Sequence, residues 1–138
     1  MPNVINEKYS VIGDFEFDAL IAGEKQPIIT KGITLAAAQG VLSRGTLIGV
    51  VTATKLAVLC DSTKSDGSQI PEYILGATCD TGAAGATLNV PTIAYQTGIF
   101  NRAAIITAAG QDINAFEQQL RQVGILLRDT IANPTNQN

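Results

Sequence analysis

Between Ile33 and Thr97 every apolar run is cut within a few residues by a glycine, a proline or a polar cluster. A chain punctuated this often cannot build long helices, and it favours short strands joined by turns. The candidates are ITLAAAQ, TLIGVVT, KLAVLC, EYILGAT and ATLNV followed by PTIAYQT. β-Branched residues within them, recurrent glycines and Pro91 midway favour a β protein with bent or edge strands. ITLAAAQ stays open between strand and helix, because its alanines suit either.

One segment has a different period. In DINAFEQQLRQVG the apolar residues Ile113, Phe116, Leu120 and Val123 recur at steps of three, four and three, which predicts one helix over about 112–123 with a core-facing stripe. Asp112 is placed to cap its start and Gly124 to end it in a left-handed turn. ILLRDTI then reads as a closing strand, and 132–138 as a polar tail. Residues 1–30 hold no sustained period and read as an extended arm, leaving 31–131 as one β domain. At 138 residues the chain has room for a single core.

Composition excludes several functions. Charged residues are only 15% of the chain and the net charge is −3, so no basic face is available for nucleic acid. The absence of histidine removes the commonest general base and zinc ligand. No apolar run is long enough to span a membrane. Cys60 and Cys79 lack a Cys-x-x-Cys pattern, and the polar opening MPNVINEKYS is no secretory signal, so two reduced, buried thiols are expected.

The most polar stretch is DSTKSDGSQ, Asp61 to Gln69. Counted as a calcium loop it places Asp61, Thr63 and Ser65 at ligand positions and Glu72 at the twelfth, but Asp66 stands where the sharp turn needs glycine. A single glycine is also too few for a phosphate cradle. The stretch reads as a polar turn closed by Asp66-Gly67. TGAAGAT (81–87) falls short of both nucleotide fingerprints and reads as a hairpin loop. Asp14, Glu16 and Asp18 alternate with Phe15 and Phe17, an acidic set that fits a strand with one wet and one dry face better than acid–base catalysis. No set of residues combines a nucleophile, a base and an oxyanion hole, and no cofactor or metal site is expected.

Three segments then occur in order: LSRGTLIGVV (Leu42 to Val51), DGSQIPEYIL (Asp66 to Leu75) and TGIFNRAAI (Thr97 to Ile105). Together they resemble the lambda-type head decoration proteins of tailed bacteriophages, over roughly residues 20 to 131. The resemblance implies a mainly β fold, a β-clip-like bent ribbon or small barrel with one α-helix. It singles out Arg44, Gly45, Thr46, Asp66, Gly67, Ser68, Gln69, Gly98, Phe100 and Asn101 as structural motif residues. It implies a homotrimer, not an enzyme, made in the host cytoplasm. On the outer capsid surface it would bind the major capsid protein at three-fold and quasi-three-fold positions and stabilise the expanded head. In the arm, Val4, Ile5, Tyr9, Val11, Ile12, Phe15 and Phe17 are apolar without a period that would bury them in their own domain, and are the expected capsid contacts. The competing readings are another β-rich virion or surface module, such as a tail or carbohydrate-binding domain, and a small trimeric β enzyme. Absence of Trp and scarcity of Tyr disfavour sugar stacking, and no phosphate motif supports the enzyme.

Overall fold

A computed structural model describes residues 19–129. The arm residues Val4, Ile5, Tyr9, Val11, Ile12, Phe15 and Phe17 and the tail 132–138 lie outside the described residues. The strands are β1 (Ile21–Gly23), β2 (Ile29–Leu35), β3 (Val41–Leu42), β4 (Leu47–Val50), β5 (Ala57–Leu59), β6 (Pro71–Leu75), β7 (Cys79–Asp80), β8 (Val90–Asn101) and β9 (Ile125–Arg128). One helix, α1, covers Glu117–Val123.

Strands β8, β2, β5, β4 and β6 pair in that order, and β6 pairs back to β8, so the sheet closes into a small five-stranded barrel. The far end of β8 leaves the barrel and carries β1 antiparallel and β9 parallel. β3 and β7 form a separate short ribbon.

Two cores lie on opposite sides of the barrel wall. Successive side chains of a strand point to opposite faces, and β4 and β6 exploit this on both. Ile48 and Leu75 face into the barrel with Leu35, Ala57 and Ala94. Their neighbours Leu47 and Ile74 face outward into a second core with Phe100, Phe116, Leu120 and Ile125. Strands buried on both faces read as continuous apolar runs, which is why LIGV and YIL show no alternation. The helix and β9 roof the outer core.

β8 runs through 12 residues and serves both cores. Its continuity departs from the two short strands expected around Pro91. Pro91 is the second residue of β8, where the missing N–H costs least; residues 86–89 are outside any strand. The chain bends at Gly98, whose φ of +151° is a conformation L side chains rarely adopt. A Cβ there would also lie 2.9 Å from the Phe100 ring.

One further expectation is corrected, and the open reading of ITLAAAQ is settled. The segment 112–123 is a 3-10 turn at Ile113–Phe116 followed by α1, because Asp112 caps the turn through Asn114 N rather than starting an α-helix. Gly124 does end the helix, at φ +94°. Phe116 and Leu120 are buried, but Val123, in the last turn, overruns the core and is 38% exposed. ITLAAAQ is strand only to Leu35; Ala38 turns the chain at φ +69°. β1 and the first residues of β2, which precede residue 31, pair within the sheet.

Phe100 is fully buried in the outer core, so Phe100→Ala should cost about 3–5 kcal/mol. Gly98→Ala should destabilise as well, through strained backbone and the ring contact together. Urea unfolding midpoints measure both, and a Gly98→Ala variant as stable as the parent would contradict the junction described here.

Candidate functional site

The Arg44-Gly45-Thr46 segment turns the chain into β4. Gly45 has φ +98°, and a Cβ on it would approach the Ala104 carbonyl oxygen to 2.8 Å. Its amide donates to Leu75 O and its carbonyl accepts from Ile106 N, while Leu47 N donates to Ile106 O. Thr46 is 2% exposed and its hydroxyl donates to Ser43 O at 2.6 Å. Arg44 donates to Gly76 O at 3.0 Å and to the Tyr95 hydroxyl at 2.6 Å, with its guanidinium over the same ring. Tyr95 packs against Phe100 in turn.

Residues 98–106 are the partner of that segment. Asn101 is buried, its amide donates to Leu20 O, and its side chain caps the 3-10 turn at Arg102–Ala104 by accepting from Ala103 N. Thus the family segments meet around Gly45 and Thr46, which bond Leu75 on one side and approach Ala104 and Ile106 on the other.

The segment Asp66 to Leu75 meets the first one through β6, which pairs with β4, and its loop 66–69 lies beyond the far end of β4. Asp66 Oδ1 accepts from Ser68 N and Oγ, at 3.1 and 2.6 Å, and Gly67 N donates to the Gln69 side chain. Asp66 O accepts from Thr52 N, which ties the loop to the turn after β4. At the other end Asp61 Oδ1 accepts from Thr63 N, Thr63 Oγ1 and Gln111 Nε2. These bonds hold both carboxyls below the usual range, Asp61 chiefly through Thr63 and Asp66 chiefly through Ser68. The carboxylates face local backbone and hydroxyl donors, so the loop is a pair of Asx turns. Among the described residues no three His, Cys, Asp or Glu side chains gather as a metal site.

Cys60 is buried, and burial, with Asp61 nearby, pushes its thiol up to about 12. Cys79 is only half-buried, short of the full burial expected, and donates to Thr92 Oγ1. Both are free thiols.

Sequence reasoning missed Arg102, within the third family segment. It forks to Glu117 at 2.6 and 3.1 Å, and also reaches Asn114 and Asp129. One guanidinium thereby ties the end of β8 to α1 and to the residue after β9. Its partners stand 15 and 27 residues away, so no local pattern announces them.

Sequence reasoning also missed a free sheet edge. β2 meets β5 only at Leu35 and Ala57, so along 29–34 its second edge has no strand partner among the described residues. Beside it runs an open groove lined by Lys31, Ile33, Val50, Lys55 and Tyr73. Ile29 and Ile93 on the same two-stranded stretch are 49% and 46% exposed. Exposed apolar residues at an unpaired edge mark a contact surface rather than a catalytic one.

Compared with known families, residues 11–125 match the profile of bacteriophage lambda head decoration protein D. The chain belongs to that family. The match spans all three segments, and a role at the phage capsid follows for this head decoration protein. The family is a structural one. No curated protein matches the chain in a direct sequence search. Among the described residues no helix is long and apolar enough to cross a membrane.

Arg102 yields a pH test. Its hydrogen bonds hold the Glu117 carboxyl below its ordinary value of 4.5. A group whose native pKa is depressed stabilises fully above its unfolded value and loses that contribution as pH falls through the native one. Arg102→Ala should therefore lower the melting temperature at pH 7, with the gap to the parent shrinking as pH falls below about 4. A gap that stays constant down to pH 2, measured by calorimetry, would contradict this.

Proposed function

We propose that this head decoration protein binds the outside of the expanded phage head as a homotrimer, at three-fold and quasi-three-fold positions, and stabilises it against the pressure of packaged DNA. The partner is the major capsid protein. The observation that carries the reading is the family match over 11–125. The fold suits the role: two small cores locked by one continuous strand give a stiff body with apolar edges left over for partners. An acidic balance, 12 Asp and Glu against 9 Lys and Arg, suits a protein partner better than the DNA inside.

In this reading the arm makes the first capsid contact. Ordering an extended segment costs about 1–2 kcal/mol per residue, so it must bring its own anchors, and Val4, Ile5, Tyr9, Val11, Ile12, Phe15 and Phe17 provide them. An extended segment can add a strand to a neighbour's sheet edge.

The test compares the full chain with one lacking residues 1–18. Sedimentation reads the oligomer, and electron microscopy of expanded heads mixed with each protein reads occupancy. Trimers are expected from both, with decoration lost, by at least tenfold in affinity, for the truncation. Unchanged affinity would remove the arm's role. A full chain that leaves expanded heads bare would overturn the reading as a whole.

A further inference from the structure

The barrel wall splits where β2 and β5 part. They pair only at Leu35 and Ala57, and from there β2 forms one side of the groove while the turn that carries Lys55 forms the other. Lys31 and Ile33 share the face of Leu35, which points into the barrel, and so line the groove together with Val50 and Tyr73. Gly32 presents the opposite face, beside Ile93 on β8.

Gly32 is the described glycine that the chain's own fold does not explain. Every other one either has a positive φ or lacks room for a Cβ, with a neighbouring atom at 3.2 Å or closer. At Gly32 the nearest atom to an added Cβ is Thr92 O at 4.0 Å, and φ lies outside the left-handed region. A glycine inside a strand weakens it, and it marks a place where another backbone approaches closely. Gly32 is exposed, midway along an edge that has no strand partner among the described residues. With no Cβ in the way, a side chain on an incoming strand can lie across Gly32 onto Ile93, which is 46% exposed.

The charge of the groove selects the other half of the occupant. Lys31 and Lys55 line it, both exposed, against Glu72. Neither lysine has an ion-pair partner among the described residues; Lys31 lies over the Tyr73 ring, 5.9 Å from its centroid. Lys55 is held at φ +64°, so the turn keeps a cation where glycine would be favoured. Because neighbours in an added strand alternate faces, the occupant carries an acid opposite Lys31, facing the groove, and next to it a large apolar residue opposite Gly32, facing out. The described residues of a second copy do not supply it. Of the two acids on their strands, Glu72 stands in the barrel wall and lines this same groove, and Asp80 already accepts from Gly82 N.

We propose that an extended segment of the major capsid protein adds to the β2 edge as a strand, its acidic side chain toward Lys31 and Lys55 and its large apolar neighbour laid across Gly32. The inference rests on the decoration reading, and it adds a contact made by the body of the protein to the one made by the arm.

In the experiment, expanded heads decorated with the full chain are treated with a carbodiimide, which joins an amine directly to a carboxylate in contact with it, and the linked peptides are identified by mass spectrometry. A link from Lys31 or Lys55 to a carboxylate of the capsid protein is expected. Gly32→Val tests the edge: the free protein should melt at or above the temperature of the parent and sediment as the parent does, while its affinity for heads falls at least tenfold. Lys31→Glu with Lys55→Glu should weaken binding by a similar factor, and Lys31→Arg with Lys55→Arg should preserve it. Links from these lysines only within the chain or to a second copy, or no link at all, would overturn the proposal. So would a Gly32→Val chain that melts lower, changes its oligomer or binds heads as tightly as the parent, or a glutamate pair that binds unchanged. Heads left bare by the parent chain would overturn the decoration reading itself; heads that are occupied while any of these other results holds would overturn this contact alone.

Discussion

The structure depends on one strand that belongs to two sheets. β8 pairs with β2 and β6 inside the barrel, then with β1 and β9 outside it, without a break from Val90 to Asn101. A strand cannot change sheets without a change of twist, and Gly98 supplies it at a φ closed to most residues. The Phe100 ring then occupies the space a side chain at 98 would need. The bend and the largest fully buried side chain of the outer core are thus a single device.

The family segments make physical sense around that device. Ile106, just past β8, donates to Gly45 O and accepts from Leu47 N where the chain enters β4. Arg44 holds Tyr95, and Tyr95 holds Phe100. Asn101 and Arg102 secure the exit, one by capping the next turn and the other by reaching α1 and the chain after β9. Only the Asp66–Gln69 loop stands apart, where its side chains close a turn upon themselves. None of these residues is arranged for catalysis. They build a stiff body, which is what a decorating protein must offer if it is to hold neighbours in register.

Much of this was legible in the sequence, and the failures have definite causes. Short apolar runs gave β4, β5 and β6 correctly, since burial on both faces leaves a run and not an alternation. The sequence divides ATLNV from PTIAYQT at Pro91, whereas Pro91 sits at the start of one strand that runs on through Gly98 to Asn101. The apolar period starts the helix at 112, but the first turn after the Asp112 cap is 3-10 and the α-helix begins at Glu117. Arg102 and the free β2 edge were invisible, because both are defined by partners brought from far along the chain, or by the lack of one. The family segments were readable because they hold glycines where this backbone turns at positive φ, at Gly45, Gly67 and Gly98.

The central physical claim is that β8 makes the two cores one cooperative unit. Native-state hydrogen exchange in rising denaturant tests it most directly, by following the amides of Ala94 and Tyr95 on the barrel side and of Phe100 and Asn101 on the other. The account predicts that both groups exchange through one global opening with the same free energy and the same denaturant slope. Two separate openings, with the Phe100 side lost first while the barrel stays protected, would contradict it.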